Sequence, residues 1–343
     1  MFFRALSVIG FFSAYLGNLG LISYLVVTRY LYDVKRFHYI EVIFLSFFLS
    51  KFFVDLFAYR SLDVLYVYRF YIGFVFFYFA FKKIKINFKY IYLIMLFLIP
   101  LEFLLINFLV DPWLLPNYPA KDTTHYGQFI NGIGYMRVYS FGENASVLSS
   151  LLTALFAYAQ LPNLYLIPHF FLLLLCASGT GYIIFFIFCI FRFVKFFIFF
   201  FSFIFLVLLF SANYLLNFID SYLAKIALDY INYLYNLKIL QITEIFHNFS
   251  YFDYIFGSFK PYYSGIEGYG GDFGWRYFWG FYGILGSFIL LILVLFNLTQ
   301  RNSIPIFLLL IATFHYPVIF FLPGQVLFAY LLTENSRNEQ KRL

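Results

Sequence analysis

The sequence predicts an all-α protein: one integral-membrane domain, a polytopic transmembrane bundle of about ten or eleven helices with two outer-face loops. Three observations predict it. Of 343 residues, 64% are apolar and only 11% charged, against roughly 45–50% and about 25% in a soluble domain. At roughly 20 residues per crossing, that apolar share fills about ten spans. The apolar residues also run unbroken for whole spans instead of alternating with polar ones, which excludes an outer-membrane barrel. Finally, basic residues gather in short segments between the apolar runs, as the positive-inside rule requires. A soluble enzyme, a disordered chain and a disulfide-stapled secreted domain are excluded on the same composition.

The runs follow in order. Residues 5–27 are too long for the apolar core of a signal peptide and form a retained span with its start outside. Arg29, Lys35 and Arg36 follow, then runs at 39–58 and 64–81, the latter ending at Lys82, Lys83, Lys85 and Lys89. That lysine cluster belongs in the cytoplasm and sets the orientation of everything else. Residues 90–110 lead outward to the first outer loop, about 111–144, rich in Pro, Gly and polar groups. A span at 145–159 returns and turns at 160–163. The next, 164–177, reaches a small polar hairpin, SGTG at 178–181, and 182–191 comes back to Arg192 and Lys195.

Residues 196–212 lead to the second outer loop, about 213–271. Ile219, Tyr222, Leu223 and Ile226 recur there at helical intervals among Asp220, Lys225 and Asp229, the pattern of amphipathic helices on a membrane surface. Residues 275–296 cross inward to Arg301. Residues 304–332, interrupted by Pro317 and Pro323, make one kinked span or a short hairpin, with the tail inside.

The net charge of +7 lies in these connecting segments. No basic stripe or nucleic-acid motif is present, so no nucleic-acid partner is expected. Cys176 and Cys189 sit inside apolar runs as buried thiols. Neither phosphate-binding glycine fingerprint occurs, and the inner loops are too short to build a nucleotide site.

Polarity in a membrane protein is costly, at least about 2.5–3.5 kcal/mol for a charge at mid-bilayer, so its location is informative. Here it gathers on the outer side: Asp122, His125, Arg137 and Glu143 in the first loop, and His247, Asp253, Lys260, Glu267, Asp272 and Arg276 around the second. Three spans begin at that face, near Asn144, Thr180 and Asp272. Each aims free backbone N–H groups and partial positive charge outward, toward where a phosphate or diphosphate would sit. Arg137 precedes one such start and Arg276 follows another by a helical turn, and arginine suits phosphate because its planar fork gives paired charge-assisted bonds. Ser178 and Thr180 supply hydroxyls at the middle start.

Ordinary structural roles compete for each. Arg137 could anchor at the headgroups, Asp272–Arg276 and Lys51–Asp55 have the spacing of helical ion pairs, and Glu143 could serve a helix start. Lone His125 and His247 have no paired-ligand spacing, and no metal site is expected. His169 and His315 neighbour prolines and suggest packing at kinks. Arg69 and Glu102 stand within apolar runs without an evident partner.

The stretch RVYSFGENAS at 137–146, the two helices that follow and SGTG at 178–181 resemble the bacterial O-antigen polymerases of the Wzy type. YIFG at 254–257, GDFGW at 271–275 and FYGILG at 281–286 are similar to that family's second loop and following span. The resemblance covers roughly 90–300, and its order and topology carry it more than any single motif. It implies a GT-C-like, metal-independent, inverting glycosyltransferase without cofactor in the inner (cytoplasmic) membrane, its active site facing outward. Such an enzyme moves a growing glycan from undecaprenyl diphosphate to the next lipid-linked repeat unit, with a chain-length regulator as a further partner. Arg137, Arg276, Ser178 and Thr180 would then hold the diphosphate, and Glu143 or Asp272 would take the acceptor's proton.

O-antigen ligases, which would deliver the glycan to a lipid A-core, share the architecture. They usually carry a His-Asn pair just before the span after the large loop, where this chain has Gly271-Asp272-Phe273. Its own pair, His247-Asn248, comes well before, which favours the polymerase. The family's usual Pro after the Gly-Glu turn is also absent, with Asn144-Ala145 in its place. A lipid-linked oligosaccharide flippase would need more mid-span charges and shorter loops. A membrane acyltransferase would pair an Arg with a nearby His, and Arg4 has none before His38.

Overall fold

The computed structural model describes residues 22–24, 37–110, 135–142, 144–194, 249–259 and 273–334, with isolated positions at 197 and between 229 and 247. Among these residues the elements are helical, with no β-strand. They are α1 (Tyr39–Tyr59), α2 (Asp63–Ile72), α3 (Phe74–Phe81), α4 (Phe88–Leu104), α5 (Ala145–Ala159) and α6 (Leu166–Cys176). After these come α7 (Gly179–Arg192), α8 (Tyr251–Phe256), α9 (Gly274–Phe296), α10 (Ser303–Ala312) and α11 (Leu322–Leu332). The run at 5–27, apart from 22–24, and the surface helices expected near 219–226 lie outside the described residues.

Among the described residues, two helical stretches are long and apolar enough to cross a membrane: Phe88–Leu109, which is α4 with its π-helical extension Leu105–Leu109, and Phe278–Phe296 of α9. Each has a mean hydropathy of 2.3. A third is the bent pair Asp63–Phe70 and Phe74–Phe81. The outward faces of these helices are themselves apolar: Phe97 on α4 is 75% exposed and Ile284 on α9 69%. Exposed apolar surface on this scale suits lipid, not water.

The break in the third pair has a local cause. A Cβ on Gly73 would lie 2.3 Å from both the Arg69 carbonyl and the Gln325 Oε1. The chain bends there by 53°, at the carbonyls that end α2, one of which, Arg69 O, accepts from Gly73 N at 3.0 Å. Gln325 of α11 meets them, its Nε2 donating to Phe70 O at 2.8 Å and Arg69 O at 3.1 Å. Tyr24 donates in turn to the Gln325 Oε1. Backbone carbonyls in an apolar interior need donors, and the glutamine supplies one to each of these two across the break.

The 304–332 run resolves as a hairpin. Its arms, α10 and α11, have 10 and 11 residues, about 15 Å each at 1.5 Å per residue, half a bilayer. The expected polar hairpin at 178–181 is instead a helix start: Ser178 is the N-cap of α7, its hydroxyl accepting from Gly181 N at 3.3 Å. A capping serine satisfies a helix-terminal donor at little cost, and three small residues can enter the first turn.

α5 is the hub. It packs against α4, α6, α7, α10 and α11 and is buried nearly all round. Its buried hydroxyls turn back on its own carbonyls, Ser150 to Ser146 O at 2.7 Å and Thr153 to Ser149 O at 2.9 Å. Small residues then let the backbones approach: Ser149 meets Gly181 of α7, where an added Cβ would lie 2.4 Å away.

His169 on α6 bridges to this hub instead of only filling a kink. Thr153 has spent its single hydrogen on Ser149, so it accepts from His169 Nε2 at 3.2 Å. Nδ1 is therefore bare and accepts from Tyr92 of α4 at 2.8 Å. Lys51 and Asp55 form the expected pair at 3.1 Å, and Asp55 also accepts from Tyr68 at 2.6 Å.

Side-chain contacts fix the helix directions. Arg301 before α10 stands over Tyr158 near the end of α5, and Tyr330 near the end of α11 donates to Ile86 before α4. The starts of α5, α7, α9 and α11 therefore share one end of the bundle with the finishes of α4, α6 and α10. That end carries Arg137. The other carries Lys82, Lys85, Lys89 and Arg301.

Candidate functional site

Residues 135–142 thread between helix ends, and their backbone is held at three points. Asn107, in the π turn, clamps Met136 from both sides: it accepts from Met136 N at 2.6 Å and donates to Met136 O at 3.2 Å. Val138 N donates to Leu175 O at 3.2 Å. Ser140 N donates to Glu102 Oε1 at 2.9 Å. Arg137 lies between the first two anchors, and its Nη1 donates to Ala177 O at 3.2 Å. Its backbone is therefore set by the bonds of its neighbours, and its guanidinium is directed by the bond to Ala177 O.

The chain then turns sharply into α5. Ser140 adopts a left-handed conformation, φ 41°, and a 3-10 turn follows at Ser140–Gly142. A Cβ on Gly142 would lie 2.4 Å from Leu148 N, so only glycine permits this approach. Asn144 caps α5, accepting from Ser146 N at 2.8 Å.

The starts of α5 and α7 are tied by Ser146 and Ser178, whose hydroxyls lie 2.9 Å apart. Two helix N-termini stand side by side, each with partial positive charge, and the Arg137 guanidinium reaches the residue before the second. Ser178 and Thr180 are both buried. Ser178 spends its hydroxyl on joining the helices, so it holds the arrangement together.

α9 starts at the same end. Gly274 lies against the 313–317 turn, where a Cβ would sit 2.6 Å from Pro317 Cα, and Trp275 Nε1 donates to Leu310 O at 3.1 Å. Arg276, in the first turn, is 7% exposed. Burial pushes the Tyr139 phenol above its ordinary range; Arg137 opposes that shift, and Tyr316 of the 313–317 turn adds to it. An aromatic shell of Phe273, Trp275, Trp279 and Phe314 surrounds the start of α9.

Two separated motifs of the second loop and its following span meet further along α9. A Cβ on Gly257 would lie 2.1 Å from Phe281 O, and one on Gly283 would lie 2.4 Å from Ile255 O. Both glycines have positive φ, 76° and 61°, so backbone packs on backbone where α9 kinks. Ser258 N donates to Gly280 O at 2.7 Å across the same contact.

Of the sequence-predicted site residues, Arg137, Arg276, Ser178 and Thr180 thus fall at one end of the bundle. Glu143 and Asp272 lie outside the described residues, as do His125 and most of the second loop. Glu102 and Asn107 belong to the site but were not assigned to it from sequence. The signal for Glu102 was its charge within an apolar run: an unpaired carboxylate is too costly there, so it had to have a donor. Among the described residues no three His, Cys, Asp or Glu side chains gather as a metal site.

No known protein family, curated protein or solved structure matches this chain.

Proposed function

We propose that this chain is an O-antigen polymerase of the Wzy type, joining undecaprenyl-diphosphate-linked oligosaccharide repeat units at the outer face of the bacterial cytoplasmic membrane. The proposal includes a polytopic GT-C-like bundle with its lysine end in the cytoplasm. The observation that carries it is Arg137, fixed by backbone bonds beside the paired starts of α5 and α7, at the end where α9 brings Arg276. A preorganised cationic site of this kind suits a diphosphate leaving group.

In the reaction the acceptor hydroxyl oxygen attacks the anomeric carbon from the face opposite the diphosphate. The bond from that carbon to the diphosphate oxygen breaks, and its electron pair stays on the diphosphate. Arg137 and Arg276 stabilise the charge that develops there. Glu143 or Asp272 takes the hydroxyl proton. Ser178, bonded to Ser146, keeps the two helix starts together, and the Thr180 hydroxyl adds a donor for the diphosphate at the start of α7.

The test is a strain lacking the gene, complemented with wild type, Arg137→Ala or Arg276→Ala, with surface polysaccharide and the lipid-linked pool both resolved by length. The polymerase reading expects single repeat units attached to carrier and core, with long chains restored only by wild type. Long chains accumulating on the carrier with none on the core would replace it with the ligase. Repeat units held on the inner leaflet would replace it with a flippase.

A further inference from the structure

The lysine end holds a second cationic site, built differently. A pocket of about 330 Å³ opens between α4, α5, α10 and α11, lined by Lys85, Asn87, Lys89, Tyr158, Arg301 and Tyr330 among others. Arg301 is held at its wall, over the Tyr158 ring at 4.5 Å and 3.5 Å from the Glu334 carboxylate. Tyr330 closes another side through its 2.7 Å bond to Ile86 O. Among the described residues, three cations (Lys85, Lys89, Arg301) face one carboxylate (Glu334), leaving the pocket a net charge of +2. Lys82 adds nothing to it, because that lysine is committed to buried Glu41. The pocket also receives the start of α4, whose Asn87 makes no side-chain cap, so the helix presents its positive end there.

The pocket is not isolated. Asn87 and Lys89 also line a second cavity, with Tyr90 and Leu93 on its apolar side. Tyr90 and Leu93 pass in turn into a groove of about 510 Å³ along α4, with Ile94, Phe97 and Leu98. From Lys89 to Leu98 the helix rises about 14 Å, close to the roughly 15 Å of one leaflet's hydrocarbon. A cationic cup thus opens into an apolar channel one leaflet deep, on a helix able to cross a bilayer.

We propose that this composite is a binding site for an anionic phospholipid. The headgroup phosphate sits among Lys85, Lys89, Arg301 and the start of α4, and one acyl chain lies over Tyr90, Leu93, Ile94 and Phe97. Charge complementarity selects an anion, and the adjoining groove selects one that carries a hydrocarbon chain. The inference rests on α4 crossing the membrane and not on the polymerase reading.

The test uses the full chain purified in neutral detergent, with phosphatidylglycerol, phosphatidylcholine and inorganic phosphate as separate probes. Native mass spectrometry counts retained lipid, and thermal unfolding reports stabilisation. Phosphatidylglycerol should be retained and should raise the melting temperature by several degrees, with neither other probe doing so. Lys85→Gln with Lys89→Gln changes two exposed side chains, so folding is preserved, and should weaken phosphatidylglycerol binding at least tenfold. Leu93→Asn should weaken it while leaving any response to inorganic phosphate unchanged. Equal retention of both lipids, unchanged binding in the double variant, or full stabilisation by inorganic phosphate alone would each overturn the proposal.

Discussion

The two ends of the bundle both concentrate positive charge but hold it differently. At the Arg137 end the cations are drawn in: Arg276 is 7% exposed, and Arg137 is fixed through backbone bonds to its neighbours. At the lysine end the pocket is rimmed by exposed Lys85, on the segment before α4, and exposed Lys89, in the first turn of α4. Burial with fixed geometry concentrates an electrostatic effect on one point, whereas exposed charges on flexible stems attract without orienting. The difference teaches that fixed and exposed cations suit different ligands: the first matches the charge that the proposed polymerase reaction develops at a defined place, the second the proposed lipid headgroup.

The sharpest way to break this comparison is to remove one cation at each end. Arg137→Ala should lower polymerisation about 10²–10³-fold, the range for losing one preorganised charge-stabilising donor, read as collapse of the polysaccharide ladder. Lys83→Ala, an exposed change at the lysine end, should leave chain length unchanged. Equal effects would erase the distinction between the ends.

Next comes the seam that holds the two helix starts together. Gly181→Leu forces side-chain volume against Ser149 and should cost about 1–3 kcal/mol, visible as a lower melting temperature and a shortened ladder. Gly179→Ala, where nothing lies within 4 Å of an added Cβ, is the matched control that should change neither.

A smaller loss is expected from Glu102→Ala, which strips the acceptor from Ser140 N and loosens the segment carrying Arg137. Glu102→Gln keeps an acceptor oxygen and should recover most of the activity. A difference of about tenfold between them, or about 1.4 kcal/mol, is within the roughly 0.5–1.5 kcal/mol of an ordinary intramolecular hydrogen bond. If the two variants behave alike, Glu102 acts through its charge and not through the Ser140 anchor.

The smallest effect is expected mid-bundle. His169→Leu removes the Tyr92–His169–Thr153 bridge and should cost about 0.6–1.7 kcal/mol, as interhelical polar pairs in membranes do. Polymerisation at saturating substrate should be unaffected, because both ends keep their own anchors.

How much was legible beforehand depended on the kind of signal. The run at 145–159 was read with its observed bounds, because Asn144 before it and Gln160 after it interrupt continuous apolarity. The 64–81 run gave no warning of its break: one glycine is tolerated in most helices, and the Gln325 that bridges the bend by donating to Arg69 O and Phe70 O is distant in sequence. Ser178 to Gly181 read as a hairpin because small polar residues signal turns and helix caps equally. Arg137 was legible as a candidate, but its anchoring by Asn107, Leu175 and Glu102 was not, since each contact joins residues far apart in the chain.

By itself the sequence determined that the chain is helical and apolar enough to enter a membrane, and where its charges stand along the chain. Those properties are sums over local composition, and a bilayer enforces them residue by residue. Only the tertiary structure decided that α5 is the hub, that the starts of α5 and α7 are joined, and which carboxylate holds the Arg137 segment. Those outcomes depend on close approach, as at Gly142 and Gly181. The absence of a side chain records that something comes near without recording what.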